Sequence, residues 1–187
     1  MEEMIQLIKD TAKEAMQKAI KHLKDELLKI RAGKANPSML EGIFVDYYGT
    51  QTPLNQVANV NTLDARTINI QPWEKNMLEP IERAIINSNL GLTPQNNGEL
   101  VLINIPPLTE ERRAELVRQA KSESENAKVS VRNARKEANL EIKNLQKEGL
   151  SEDLARDEEN EIQKITDDYV QTIDELLKSK EQDIMTI

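Results

Sequence analysis

EERRAELVRQAKSESENAKVSVRNARKEANLEIKNLQKEG, residues 110–149, contains no proline and holds its only glycine at the last position. Within it Val117, Ala120, Ser124, Ala127, Val131, Ala134, Ala138, Ile142 and Leu145 recur every three or four residues, the spacing that lines one side of an α-helix. Thr109 just before it is an N-cap residue type, Glu110 and Glu111 suit the positive end of a helix dipole, and Gly149 supplies a stop. The pattern predicts a helix of about 38 residues and about 57 Å, over three times the mean length. A stripe this narrow is not stable alone in water, and its alanines allow other helices to approach closely.

Two further stretches supply those helices. Residues 1–31 place Ile5, Ile8, Ala12, Ala15, Ala19, Leu23, Leu27 and Ile30 at the same spacing. After Ser151, an N-cap followed by Glu152 and Asp153, the pattern runs through Leu154, Ile162, Ile165, Tyr169, Ile173, Leu176 and Ile184. The three stripes most simply bury themselves against one another as a three-helix bundle.

Between the first and second helices the texture changes. Short β-branched runs at 43–48, 57–61, 67–71 and 100–104 read as strands, with turns at Gly49, Asn55 and Asn97-Gly98, and residues 74–89 read as a short helix that Pro80 splits. Phe44, Tyr47, Tyr48 and Trp73 lie in this insert, where they are expected to build its core, a base-stacking platform being the alternative. The expected fold is therefore α+β: a long three-helix bundle, residues 1–31 and 106–187, with a small β/α/β domain, residues 32–105, inserted between its first and second helices. Two connections, near 31–37 and 105–107, join the domains, and the glycine of one and the Pro-Pro pair of the other suit an L-shaped molecule with an elbow. A rigid and a hinged elbow are both compatible with this sequence.

Composition narrows the function. The chain has 187 residues, no cysteine and one histidine, so thiol nucleophiles, zinc–thiolate sites and iron–sulfur clusters are excluded. His22 stands between Lys21 and Lys24 with no nucleophile turn elsewhere, and no metal-ligand spacing occurs, so no catalytic residue, metal or cofactor is expected and the protein reads as a non-enzyme. No apolar run reaches the roughly 20 residues that cross a bilayer, and MEEMIQLIKD has neither the apolar region of a secretory signal nor the character of a transit peptide. A cytoplasmic protein with no membrane partner is expected.

The net charge is −8, and residues 151–187, with 4 basic and 12 acidic side chains, account for all of it; residues 106–150 carry 10 and 8. At about 100° per residue, with Val131 at zero, Arg118, Lys121, Lys128, Arg132, Arg135, Lys136 and Lys143 project between about 40° and 140°. Glu115, Glu123, Glu137, Glu141 and Glu148 project to the opposite side, whereas Glu125 lies inside the basic arc. Two readings follow. The basic side pairs with the acidic third helix, which suits Arg135 and Lys128 near the core, or it meets a polyanion, which suits the residues farther round. Arg132 and Arg135 are the strongest candidates for phosphate contact, because a guanidinium bonds two oxygens at once.

The strings IRAGKANPSMLEGIFVDYYGTQTPLNQVANV (30–60), PWEKNMLEPIERAI (72–85), SNLGLTP (88–94), IPPLTEERRAELV (105–117), AKVSVRNARKEA (127–138) and KEQDIM (180–185) closely resemble the ribosome recycling factor family, bacterial type, in order and over essentially the whole chain. The resemblance implies a long three-helix bundle hinged to a β/α/β domain. It also implies a function: with elongation factor G and GTP, the factor splits the post-termination ribosome and frees messenger and transfer RNA, cleaving no bond itself. It implies contact of the helical domain with large-subunit ribosomal RNA through Arg132, with Arg135 and Lys128 following; Lys136, Lys121, Arg118 and Lys143 join them as candidate contacts by their place on the same basic side of the helix. The hinge motif falls on Arg31, Ala32, Gly33, Lys34, Asn36 and Pro37, and on Ile105, Pro106 and Pro107, in a protein expected to be a monomer. Ala32 and Lys34 depart from the Thr and Arg common in the family, and Arg135-Lys136 replaces a frequent arginine pair; lysine keeps the charge but lacks the planar fork. A coiled-coil chaperone or nucleotide-exchange adaptor that binds protein rather than RNA is the competing class.

Overall fold

The computed structural model describes residues 1–31 and 33–186. The order of elements is α1 (Glu2–Lys29), β1 (Phe44–Tyr47), β2 (Thr50–Pro53), β3 (Ala58–Asp64), β4 (Thr67–Pro72), α2 (Leu78–Asn87), β5 (Pro94–Asn96), β6 (Val101–Asn104), α3 (Glu110–Lys147) and α4 (Glu152–Met185). The chain divides into two compact units, Met1–Ala32 with Glu110–Ile187, and Gly33–Thr109.

The first unit is helical. α3 reaches the expected 38 residues and buries Leu116, Ala120, Ser124, Ala127, Val131, Ala134, Ala138, Ile142 and Leu145. Leu116 takes the place expected of Val117, which is half-buried. On α1, Met16 is wholly buried and Ala15 exposed; on α4, Ala155 is buried while Leu154 is 53% exposed. These shifts occur because a real helix turns every 3.6 residues and drifts against a strict heptad, so the inward position slides by one along a long element. Ser124 and Thr166 are buried polar residues whose hydroxyls donate to the carbonyls of Ala120 (3.0 Å) and Ile162 (2.8 Å), four residues back.

The α3–α4 corner is closed by local chemistry. Gly149 adopts φ +120°, its N–H bonds the Gln146 carbonyl (3.2 Å), and the Leu150 N–H reaches back to the Leu145 carbonyl (3.0 Å). This is the Schellman arrangement, with Leu145 and Leu150 buried in one cluster as its apolar contact. Ser151 then accepts from the Leu154 N–H (3.3 Å) and opens α4. Lys9 of α1 clamps α4 through Glu161 (2.8 Å) and Glu158 (3.0 Å).

In the second unit β1 and β2 form a hairpin, and β3, β4, β6 and β5 form an antiparallel sheet in that order. β2 and β5 are strands that the sequence pattern did not mark. Pro80 does not split α2. It stands in the first turn, where the N–H it lacks has no intrahelical acceptor, and a 3-10 turn, Lys75–Met77, precedes it. The aromatic core expected of this unit is also corrected. Ile68, Ile70, Ile81, Val101 and Ile103 have no exposed surface, whereas Phe44, Tyr48 and Trp73 are 54%, 71% and 60% exposed. The β-branched side chains fill the space between the pleated sheet and α2; Tyr48 falls at the hairpin tip, Phe44 at the opposite end of β1 and Trp73 just past the end of β4, while Tyr47 packs partly buried against the core. Tyr48 and Gly49, at φ +48° and +85°, make the two-residue loop between Tyr47 and Thr50, the type I′ geometry matching strand twist. The Tyr48 hydroxyl donates to Glu74 (2.9 Å) and accepts from the Asn76 amide (3.1 Å).

Candidate nucleic-acid interface

The seven expected contact residues all project from α3, and the structure separates them into two rows. Burial of Val131, Ala134 and Ala138 against the other helices turns Arg135 and Lys128 toward the α4 seam, where both are half-buried. Lys128 makes a 2.7 Å ion pair with Asp174 of α4 and a weaker one, 3.7 Å, with Glu125. The hydrogen bond to Asp174 holds its ammonium above the usual lysine range, against the opposite pull of burial. Lys121 reaches Glu181 at 4.0 Å, and Arg135 donates to the Gln163 side-chain carbonyl at 3.2 Å.

Arg118, Arg132, Lys136 and Lys143 lie farther round the helix and are exposed. None of them makes an ion pair among the described residues, and the row extends about 38 Å along the axis. The distinction matters chemically. A phosphate meeting Lys128 competes with a carboxylate already 2.7 Å away, whereas one meeting Arg132 or Lys136 displaces only water and counterions. Each exposed cation is individually weak, and a row of them at helical spacing gains by acting on successive phosphates.

Arg135, Lys136, Asn139, Leu140 and Lys143 of α3, with Gln163 of α4, surround a depression of about 420 Å³ on this face. Asn139 and Leu140 are uncharged and so were not legible from the segregation of charge along α3. The available signal was an amide placed one residue after the buried Ala138 and between basic neighbours. Among the described residues no group of three or more His, Cys, Asp or Glu side chains could hold a metal ion. His22 is exposed, 3.7 Å from Glu26. No helix of the described residues is long and apolar enough to cross a membrane.

At the connections, Asn36 caps the 3-10 helix Pro37–Leu40 by accepting from the Ser38 N–H (3.0 Å), and the Ala35 N–H bonds the Ala65 carbonyl (2.8 Å). Ile105 is a buried member of the smaller unit's core, its N–H bonded to the Arg66 carbonyl at 2.7 Å. Arg31, Lys34, Pro106 and Pro107 are exposed. Gly33, at φ +73°, packs its α-carbon against the Leu108 side chain of the other connection. Ala32, also expected here, lies outside the described residues.

A sequence model described as "Ribosome recycling factor" matches residues 23–185. The chain is 54% identical, over the full length of both proteins, to the ribosome-recycling factor of Flavobacterium johnsoniae. It is similar to the solution structure of a ribosome recycling factor, with a TM-score of 0.71 and 38% identity over 98% of each chain. It is also similar, with a TM-score of 0.61 and 45% identity over 97% of this chain and 98% of the other, to a chain from a structure titled as models for the T. thermophilus ribosome recycling factor and the E. coli elongation factor G bound to the E. coli post-termination complex. Matched over most of its length and identical at more than half its positions to a full-length member, the chain belongs to the ribosome recycling factor family.

Proposed function

We propose that this protein acts after peptide release, with elongation factor G and GTP, to split the post-termination ribosome and free messenger and transfer RNA. The observation that carries this reading is its full-length likeness to the recycling factor placed with elongation factor G on a post-termination complex. The protein is a cytoplasmic translation factor that cleaves no bond itself; the free energy comes from the partner's GTP cycle. Its helical unit lies on large-subunit ribosomal RNA through the unpaired row Arg132, Lys136, Lys143 and Arg118, with Arg135, Lys128 and Lys121 supporting it from the α4 seam. This reading is supported by four cations whose use breaks no ion pair among the described residues.

The smaller unit moves on its two connections to pass a push from the GTPase to the contacts between subunits. Because Ala35 and Ile105 are hydrogen-bonded inside that unit, pivoting falls to the residues before Ala35 and after Ile105.

Light scattering of post-termination ribosomes tests the proposal: scattering drops only when this protein, elongation factor G and GTP are all present. No drop with cognate ribosomes and an active GTPase overturns it. Arg132→Ala lowers the log–log salt slope of binding to large subunits by about one unit and weakens binding by about 1–3 kcal/mol, measured by cosedimentation across a salt series.

A further inference from the structure

A groove of about 440 Å³ lies between α1 and α3 of the helical unit. Ala12, Ala134 and Ala138 are buried beneath it, and Leu7 and Leu140, 66% and 58% exposed, rise at its edges. The alanines that let the helices approach leave no side chain to fill the space above them. From Leu7 to Ala15 the groove extends about 12 Å, two helical turns. An exposed apolar strip bordered by polar residues marks a surface that meets another molecule.

The border is acidic. Glu137 and Glu141 line the groove on α3, at about 240° and 280° from Val131 and so opposite the basic row. They stand four residues apart, exposed and without an ion pair among the described residues, and like charges at that spacing weaken their own helix. On α1, Glu3, Asp10 and Glu14 project within about 60° of Leu7. The cations of this stretch are turned elsewhere or paired: Lys9 binds Glu158 and Glu161 of α4, and Lys18 pairs with Glu14 at 3.4 Å. Such a border repels a phosphate backbone. Its complement is apolar along the centre and cationic along both edges.

We propose that this groove takes an amphipathic, lysine- or arginine-rich helix of a partner protein. Aliphatic residues at i, i+3 or i+4, and i+7 of the partner span the two turns between Leu7 and Leu140, and the cations beside them meet Glu137 and Glu141 on one edge and Asp10 and Glu14 on the other. The surface is separate from the basic row, and the proposal stands whether or not that row lies on RNA.

Fluorescence anisotropy with two labelled synthetic peptides, each about 14 residues long, tests it. Both contain the same lysines and leucines; in one the leucines fall at i, i+3, i+4 and i+7, and in the other they are scattered round the helix. The full chain is expected to bind the patterned peptide about ten-fold more tightly than the scattered one. Leu7→Ala with Leu140→Ala removes that preference, and Glu137→Gln with Glu141→Gln weakens binding and flattens its salt dependence. All four side chains are exposed, and alanine and glutamine are good helix formers, so both double variants keep the parent's melting temperature. Because the chain has no cysteine, Thr11→Cys carrying a photoreactive group sets a single cross-linker in the groove, where it is expected to attach to the patterned peptide. Equal binding of the two peptides, or unchanged binding by both double variants, reflects only the attraction of an acidic protein for cations and overturns the proposal. So does cross-linking from that position to RNA rather than protein when ribosomes are added, or self-association in sedimentation that Leu7→Ala with Leu140→Ala abolishes, which assigns the groove to a second copy.

Discussion

At Gly33 the backbone holds φ +73°, and a Cβ built there would lie 2.6 Å from Leu108 Cγ. Two costs are combined at one atom. The left-handed conformation penalises any L-residue by about 1–2 kcal/mol, and the overlap forces Leu108 to move. Gly33→Ala is therefore expected to destabilise the smaller unit by at least that backbone cost in denaturant melts, with Leu108→Ala in the same chain recovering the steric part alone. A second single-residue test concerns pH. The hydrogen bond from Lys9 holds the Glu161 carboxyl below the usual glutamate range and, reciprocally, raises the Lys9 ammonium. A carboxyl with a depressed folded-state pKa contributes stability above its unfolded value near 4.5, and that contribution disappears as pH falls through the folded value. Glu161→Gln is expected to lower the melting temperature at neutral pH and to flatten its decline between about pH 5 and pH 3 relative to the parent. Parallel acid limbs for the two proteins would show that the clamp contributes nothing.

At the scale of elements, the alanine stripe of α3 sets how closely α1 and α4 approach. Ala120 has no exposed surface, so Ala120→Leu inserts three carbons where no space exists and is expected to cost about 1–3 kcal/mol in urea unfolding while leaving the helix content intact. α3, α4 and the corner between them were legible from residues 110–185, because period, Gly149 and Ser151 act locally. β2 (TQTP) and β5 (PQN) were not legible. They are short and polar, lack apolar alternation, and exist as strands because β1 and β6 offer them hydrogen-bonding edges.

For the whole molecule, the proposed splitting activity requires the two compact units to move relative to one another. A covalent cross-link joining the helical unit to the smaller one is expected to preserve cosedimentation with large subunits and to abolish the GTP-dependent loss of scattering. Full splitting by a locked protein means that no pivoting is needed. The expected contact residues were legible only as a set. Seven cations on one side of a helix could be counted from sequence, but which of them were already occupied by Asp174, Glu181 and Gln163 depended on the packing of α4.

The long helices, the Gly149 stop, the Ser151 cap, the position of the insert and the segregation of charge along α3 were legible in the chain, since each follows from spacing and from chemistry within one or two turns. Tertiary packing decided that isoleucine and valine rather than most of the aromatics fill the smaller core and that, among the described residues, four of the seven cations make no ion pair and Asn139 Oδ1 has no donor. Burial and pairing depend on which side chains arrive from distant parts of the chain, and one-dimensional periodicity carries no record of those arrivals.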